Sequence, residues 1–210
     1  MKIAIIGAGG KVGRPIAQEA QDRGHEVIAL LRPNALGPSA LARAAGAVDI
    51  FDSLDLARAV RGCDAIVSAY GAPAGALQLL PAVAASVVSA ARQAAVRRVL
   101  LVGGAGILEV APGVRLADTP GFPAALMPKV KAHADAIAVL RRAADLDWTC
   151  VAPAAQIGPG ARSGRYRTAV DALVADEAGR SCISYGDFAC ALLDELQACR
   201  YPRQLLGVGD

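Results

Sequence analysis

The sequence predicts an α/β protein: a doubly wound parallel sheet flanked by helices, with a small irregular C-terminal region on the substrate side. Three observations carry this reading. Short apolar runs alternate with longer stretches of helical periodicity. The runs are nearly continuous in apolar residues rather than alternating, as in strands buried on both faces of a parallel sheet. The first run stops on "GAGGKVG", which sets Gly7, Gly9, Gly10 and Gly13 at a strand-to-helix turn.

Taken in order, the branched run Lys2–Ile6 is a strand and Lys11–Gly24, closed by glycine, a helix. Glu26–Leu31 is the second strand, Pro38–Ala45 a short helix and Ala47–Phe51 a third strand. Ser53–Val60 is a short helix with Ser53 as its N-cap. Ala65–Ala69 is a strand, Ala76–Ala95 a long helix and Arg98–Val102 the fifth strand. A helix at Pro128–Ala144 and a strand at Trp148–Ala152 continue the alternation, with right-handed crossovers. The last quarter is less regular. "RYRTAV" and "SCIS" are short strands around the turn "ADEAGR", followed by a helix at Asp187–Gln197 and an end strand at Leu205–Val208. No linker or repeat divides the chain, so residues 1–210 form one domain. Two long irregular stretches, Gly103–Met127 and Pro153–Gly164, follow strands of the sheet, on the edge where such folds bind ligands.

Composition narrows the function. The chain is 54% hydrophobic with a net charge of +3, which suits a globular protein and points to neither nucleic acid nor a membrane surface as partner. Charged residues interrupt every apolar stretch before it reaches the ~20 residues of a membrane span. The five cysteines have no C-x-x-C spacing. They read as reduced, mostly buried thiols of a cytoplasmic protein, with no metal site. The oligomeric state stays open, a homodimer included.

The glycines answer a physical need. A tight strand-to-helix turn requires unusual backbone angles, and a missing side chain lets the backbone approach a phosphate. The following helix N-terminus offers unpaired N–H groups and a positive dipole end to the anion. Gly7, Gly10 and Gly13 recur every third residue, with Val12 where the G-x-G-x-x-G fingerprint has its last glycine. The loop Gly7, Gly9, Gly10, Lys11, Val12 and Gly13 is therefore a dinucleotide-binding turn. The second strand ends "VIALLRP", with Arg32 where an acidic residue would grip the ribose of NAD. A guanidinium suits a 2′-phosphate, and Lys11 adds a second cation, so the expected cofactor is NADPH (NADP). Asp52 and Ser53 follow the third strand, where polar groups hold the adenine edge, although a helix cap uses the same residues. "SAYG", Ser68, Ala69, Tyr70 and Gly71, follows the fourth strand and lies along the middle of the cofactor.

With these residues in view, the sequence resembles the atypical short-chain dehydrogenase/reductases: the NmrA-like proteins and the NADH-flavin reductases, kin to biliverdin-IXβ/flavin reductase. The resembling stretches are "IAIIGAGGKVG", "ALLRP", "CDAIVSAYG", "RRVLLVGGAGILEVAPGVRLADTPGFP", "LDWTCVAPA" and "ISYGDFACALLDEL". They imply a Rossmann-like fold, an NAD(P) cofactor and oxidoreductase activity, with Gly103 and Pro153 beside the cofactor. Relatives with the full catalytic set use a serine after the fifth strand and Tyr-x-x-x-Lys on the next helix. Here the serine region reads "VGGAGIL", and Met127 stands at the tyrosine position with Lys131 four residues later. The resemblance thus assigns Lys131 to the nicotinamide ribose and leaves no hydroxyl acid.

Other proton donors are few. Tyr70 is a candidate donor or an aromatic wall. His133 lies about 200° around the helix from Lys131 and reads as a surface histidine facing away. His25 reads as a helix-end residue. Arg162, Arg165 and Arg167 are either a basic rim for an acidic acceptor or a solvated hairpin. Ile107, Leu108 and Phe122 are expected to line an apolar acceptor pocket. Two functions fit. One is an NADPH-dependent reductase passing hydride to a flavin (FMN or FAD as substrate), a quinone or a similar conjugated small molecule, whose proton can come from water. The other is a non-catalytic NAD(P)-binding redox sensor of the NmrA-like type.

Overall fold

A computed structural model describes residues 1–31, 46–73 and 75–210. The strands are β1 (Lys2–Ile6), β2 (Glu26–Leu31), β3 (Gly46–Ala47), β4 (Ala65–Ser68), β5 (Arg98–Val102), β6 (Glu109–Ala111), β7 (Val114–Arg115), β8 (Asp147–Pro153), β9 (Gln156–Gly158), β10 (Arg167–Val170), β11 (Cys182–Ser184) and β12 (Gln204–Gly209). The α-helices are α1 (Gly13–Asp22), α2 (Ser53–Ala59), α3 (Leu79–Ala94), α4 (Met127–Arg141) and α5 (Tyr185–Ala198).

Eight strands form one sheet in the order β10-β12-β8-β5-β4-β1-β2-β3. Seven run parallel, and β10 closes the edge antiparallel to β12. This is the doubly wound sheet the apolar runs predict. Period-two alternation splits the strand residues between two cores. Ala4, Ile6, Ile66, Val99 and Leu101 pack against α2, α3 and α4. Ile3, Ile5, Val67, Leu100 and Val151 pack against α1 and α5.

Several local expectations shift. The third strand pairs only through Gly46 and Ala47, not over Ala47–Phe51. Asp49 ends it: its carboxylate accepts from Phe51 N at 2.9 Å, a local partner that replaces the sheet neighbour. The cap of α2 is Asp52, not Ser53, with Oδ1 accepting from Leu54 N at 2.8 Å and Asp55 N at 3.4 Å. The stretch 103–127 is ordered by the β6–β7 hairpin and three short 3₁₀ turns. The stretch after β8 gains β9, which pairs parallel with β11 in a separate two-stranded sheet. The expected helix at Pro38–Ala45 falls outside the described residues.

The N-terminal edge of the sheet is tied by a buried charge. Arg98, on β5, is 8% exposed and Glu195, on α5, is 4% exposed. Arg98 Nη2 donates to Glu195 Oε1 at 2.8 Å, and Nη1 donates to Thr149 Oγ1 at 2.8 Å. The other Glu195 oxygen accepts from Arg200 N at 3.2 Å. With both charges paired, the remaining donors find main-chain carbonyls at Leu196 and Asp147. Removing one member strands the other in a dry site. Glu195→Ala is therefore expected to lose about 3–5 kcal/mol of stability, read as a lower urea midpoint. A midpoint equal to wild type would show that the pair carries no weight.

The candidate functional site at the C-terminal sheet edge

The chain leaves β1 for β2 and β3 on one side and builds β4, β5, β8 and β12 on the other. The strand order therefore reverses between β1 and β4, and the crevice above their C-terminal ends is the expected ligand position. The glycine turn forms one wall. Gly7 has φ +77°, and a Cβ there would lie 2.7 Å from the Ala69 carbonyl oxygen and 3.3 Å from Tyr70 Cα. The turn thus rests directly on the end of β4. A Cβ on Gly13 would stand 2.1 Å from the Gly7 carbonyl oxygen, so only glycine lets α1 begin where it does. Between them, Gly10 N donates to Gly7 O at 2.9 Å.

Gly9, Gly10 and Lys11 form the exposed crest of the turn, with Val12 half-buried behind it. No side chain caps α1 at Val12, and its first turn carries no acidic residue. Arg14 N is taken by Gly10 O at 3.0 Å and Pro15 has no N–H, so what α1 offers an anion is the positive end of its dipole beneath the exposed turn. This is a cradle that a Cβ would fill, and it fits a dinucleotide pyrophosphate.

Ser68 is buried at the end of β4, Ala69 and Tyr70 are half-buried, and Gly71 is exposed. The Tyr70 ring meets Phe51 edge-to-face, with centroids 6.2 Å apart at 88°. Phe51 is 46% exposed. It joins Tyr70 to the Asp52–Ser53 corner as an aromatic wall that the sequence reading missed; its signal was an aromatic ending an apolar run before a helix cap. Ser53 Oγ accepts from Gln93 Nε2 at 3.4 Å. Arg32 lies outside the described residues.

Gly103 directly follows β5 and Pro153 ends the neighbouring strand β8, and both are buried. A Cβ on Gly103 would lie 2.9 Å from Cys150 Sγ, so the two strand ends close tightly on each other. Burial pushes the Cys150 thiol up to about 12, leaving it a neutral packing group. All five cysteines are free thiols; Cys63, Cys150 and Cys190 are buried, Cys199 is half-buried and Cys182 is exposed.

Helix α4 turns the opposite way from the expectation. Lys131 points to solvent, 76% exposed, and its Nζ bonds Asp135 one turn later at 2.6 Å. His133, expected on the surface, turns inward: a Cβ on Gly104 would lie 2.8 Å from its Cδ2 and 3.1 Å from its Nε2. The 200° separation of the two residues holds, but the inward face belongs to His133. Burial, with a smaller push from the Lys129 charge, lowers its pKa to about 4, so the imidazole is neutral near pH 7.

The pocket expectation also changes. Ile107 and Leu108 are core residues, 7% and 0% exposed, and do not line an open pocket. Phe122 is half-buried beside Gly106. A cavity of about 780 Å³ opens instead among the segment after β8, β11 and the start of α5; Ile157, Arg165, Tyr166 and Ser184 are on its lining. Since β12 ends at Gly209 opposite Arg167, this cavity lies on the same sheet edge as the glycine turn.

Of the three arginines expected as a basic rim, Arg162 is spent on Glu19, with bonds of 2.7 and 2.9 Å. Arg167 donates to the carbonyls of Ala175 and Asp210. Arg165 and Arg167 both line the cavity, and all three arginines are exposed. Glu19 also binds Arg23 at 2.8 Å, and Arg23 reaches Asp194 at 2.6 Å. Chiefly through Arg162, Glu19 is held down to about 2.

Among the described residues, no helix is long and apolar enough to cross a membrane, and no group of three or more His, Cys, Asp or Glu is arranged to hold a metal.

Comparison with known proteins bears on the family and the fold. A family model described as NAD(P)H-binding matches residues 7–198. The uncharacterised Bacillus subtilis protein YwnB is 39% identical over 200 residues, covering 94% of this chain and 92% of its own length. A Burkholderia pseudomallei crystal structure, provisionally named an exported protein, superimposes with a TM-score of 0.92 at 46% identity, over 100% of both chains. A Streptococcus pneumoniae structure, provisionally named an NADH-flavin reductase, gives 0.84 at 35% identity, over 100% of this chain and 99% of its own.

Two outcomes are expected from this site. Gly10→Val should fold and lose NAD(P)H binding in a fluorescence titration, because its branched side chain enters the phosphate cradle; wild-type affinity would remove the loop from the site. Glu19 has a folded pKa below its unfolded value of 4.5. Its contribution is therefore complete above about pH 4.5 and is lost as pH falls toward 2. Thermal melts across that range should show a shallower decline in Glu19→Gln than in wild type.

Proposed function

The chain belongs to the NAD(P)H-binding family, and on that premise we propose that it is an NADPH-dependent reductase that passes hydride to a flavin, a quinone or a similar conjugated small molecule. The observation that carries this reading is the chemistry of the edge beside β5. Gly103, Gly104, Ala105 and Gly106 bring no hydroxyl, Met127 has no proton to give, and Lys131 faces solvent. A simple ketone becomes an alkoxide as hydride arrives, and positioned acid catalysis of that step is worth about 10²–10⁴-fold. A conjugated ring spreads the charge and needs less help. The 35% identity to the streptococcal protein named as an NADH-flavin reductase supports the same class.

In this reading the glycine turn and the positive end of the α1 dipole hold the pyrophosphate. Arg32 and Lys11 select the 2′-phosphate, which favours NADPH over NADH. Tyr70 and Phe51 wall the adenosine side of the crevice, and Gly103 and Pro153 leave a close floor under the nicotinamide. When bound, the dihydronicotinamide supplies the hydride, and the protein orients it. A non-catalytic redox sensor would share the cradle and the missing hydroxyls but would bind NADPH without consuming it. The cytoplasm suits the reduced thiols and the cofactor supply that this function needs.

Stopped-flow absorbance at the NADPH band decides between them. Turnover is expected with FMN, riboflavin or menadione, faster with NADPH than with NADH, and negligible with simple ketones. Tight NADPH binding with no turnover on any acceptor would establish the sensor. Arg32→Ala should weaken NADPH binding by about 1.5–3 kcal/mol while NADH binding barely changes. Lys131→Ala should leave turnover unchanged.

A further inference from the structure

The inward turn of His133 has a chemical meaning within the reductase reading, on which this inference rests. Its ring lies against Gly104, the second residue past β5, at the end of the crevice beyond β4. The adenosine half of a dinucleotide lies over β2 and β3, so the nicotinamide half extends over β4 and β5, beside this ring. Val130 and Ile137, three positions before it and four after it, are buried; with His133 they form the sheet-facing side of α4. The ring is not locked into the fold by polar contacts. No described residue hydrogen-bonds to it, and neither nitrogen is sealed away without a partner. It is half-buried, so part of the ring stays accessible.

A neutral imidazole carries one N–H and cannot lose it near neutral pH, which makes it a fixed hydrogen-bond donor rather than an acid. Donors set in place before reaction, and aimed where negative charge develops, are among the strongest devices for lowering a barrier. Lys129, one turn before His133 on α4, is the charged group that acts on the ring, and its positive charge favours the same build-up.

We propose that His133 is the electrophilic hydrogen-bond donor of this site, and that its N–H holds the carbonyl oxygen of a flavin or quinone acceptor during hydride transfer. The C–H bond of the dihydronicotinamide breaks and its electron pair forms the new bond to hydrogen on the acceptor. The π electrons displaced there settle on the carbonyl oxygen. The oxygen shares the imidazole N–H without taking it, and water delivers the proton that completes reduction. The acceptor gains two electrons, and the nicotinamide is oxidised by the same two. The donor thereby fills the role left by the absent hydroxyls, from a position about 200° around α4 from Lys131.

The test compares wild type, His133→Phe and His133→Gln with NADPH and menadione. Phenylalanine fills the space without an N–H, and glutamine keeps a neutral N–H donor. The phenylalanine variant should lose about 10²-fold in kcat, with NADPH affinity unchanged, and glutamine should restore much of the loss. The chain has only two histidines, His25 and His133. Long-range ¹H–¹⁵N spectra of the wild-type imidazoles therefore give a readout that needs no variant. The His133 nitrogens should shift when NADP⁺ and menadione bind together, while those of His25 stay in place. Full kcat in His133→Phe, glutamine no better than phenylalanine, or unmoved His133 resonances would each overturn the assignment while leaving the reductase reading intact. A wild-type protein that binds NADPH but reduces no acceptor would overturn both.

Discussion

The architecture depends on one close approach. The Gly7 carbonyl oxygen lies 2.1 Å from where a Gly13 Cβ would stand. That spacing leaves no room for any side chain, and it sets how far the first turn of α1 can sink toward β1. Everything around the crevice follows from it. Gly7 can rest on the end of β4 because the turn is low. The positive end of the α1 dipole then sits at the crevice. A helix displaced outward by even a methyl group would carry its positive end away from the crevice. The two glycines thus act on geometry first, and the electrostatics follow.

The opposite edge is built on a different principle. There Arg98 and Glu195 satisfy each other's charge in a buried network with Thr149 and nearby carbonyls, drawing β5, β8 and α5 together. That edge is closed by complementary polar groups. The ligand-facing edge instead leaves an exposed glycine turn, an imidazole with no hydrogen-bond partner among the described residues, and the partly exposed Tyr70–Phe51 ring pair. This segregation is what a binding scaffold requires: rigidity where nothing is bound, and unsatisfied capacity where something is.

Much of this was legible in the sequence, and the reason lies in the residues. β1, β2 and β5 fall where the apolar runs place them, because strands buried on both faces leave no polar residue inside the run to blur the boundary. The glycine turn was legible because its spacing answers a backbone need. Asp49 and Asp52 were harder, since each ends or begins an element through its own side chain, a local competition that periodicity does not register. The phase of α4 was misjudged for another reason. Its sequence "KVKAHADAIAVL" spreads alanines around the helix, so no single face stands out as apolar and His133 read as a surface residue. Only contact with Gly104 shows which residue turns inward.

The ion pair between Glu19 and Arg162 has a consequence beyond stability. Glu19 belongs to α1, whose N-terminus faces the crevice; Arg162 belongs to the segment that borders the cavity after β8. Arg23 continues the chain of contacts to Asp194 on α5, which also accepts the Tyr166 hydroxyl. The cavity wall is therefore fastened to the same rod that carries the phosphate cradle. Whatever free energy one ligand spends in settling that rod, the other inherits. Linkage makes the inheritance mutual: an anion settled at the cradle and a molecule held in the cavity would tune each other's affinity by the same factor, through a tether that touches neither of them.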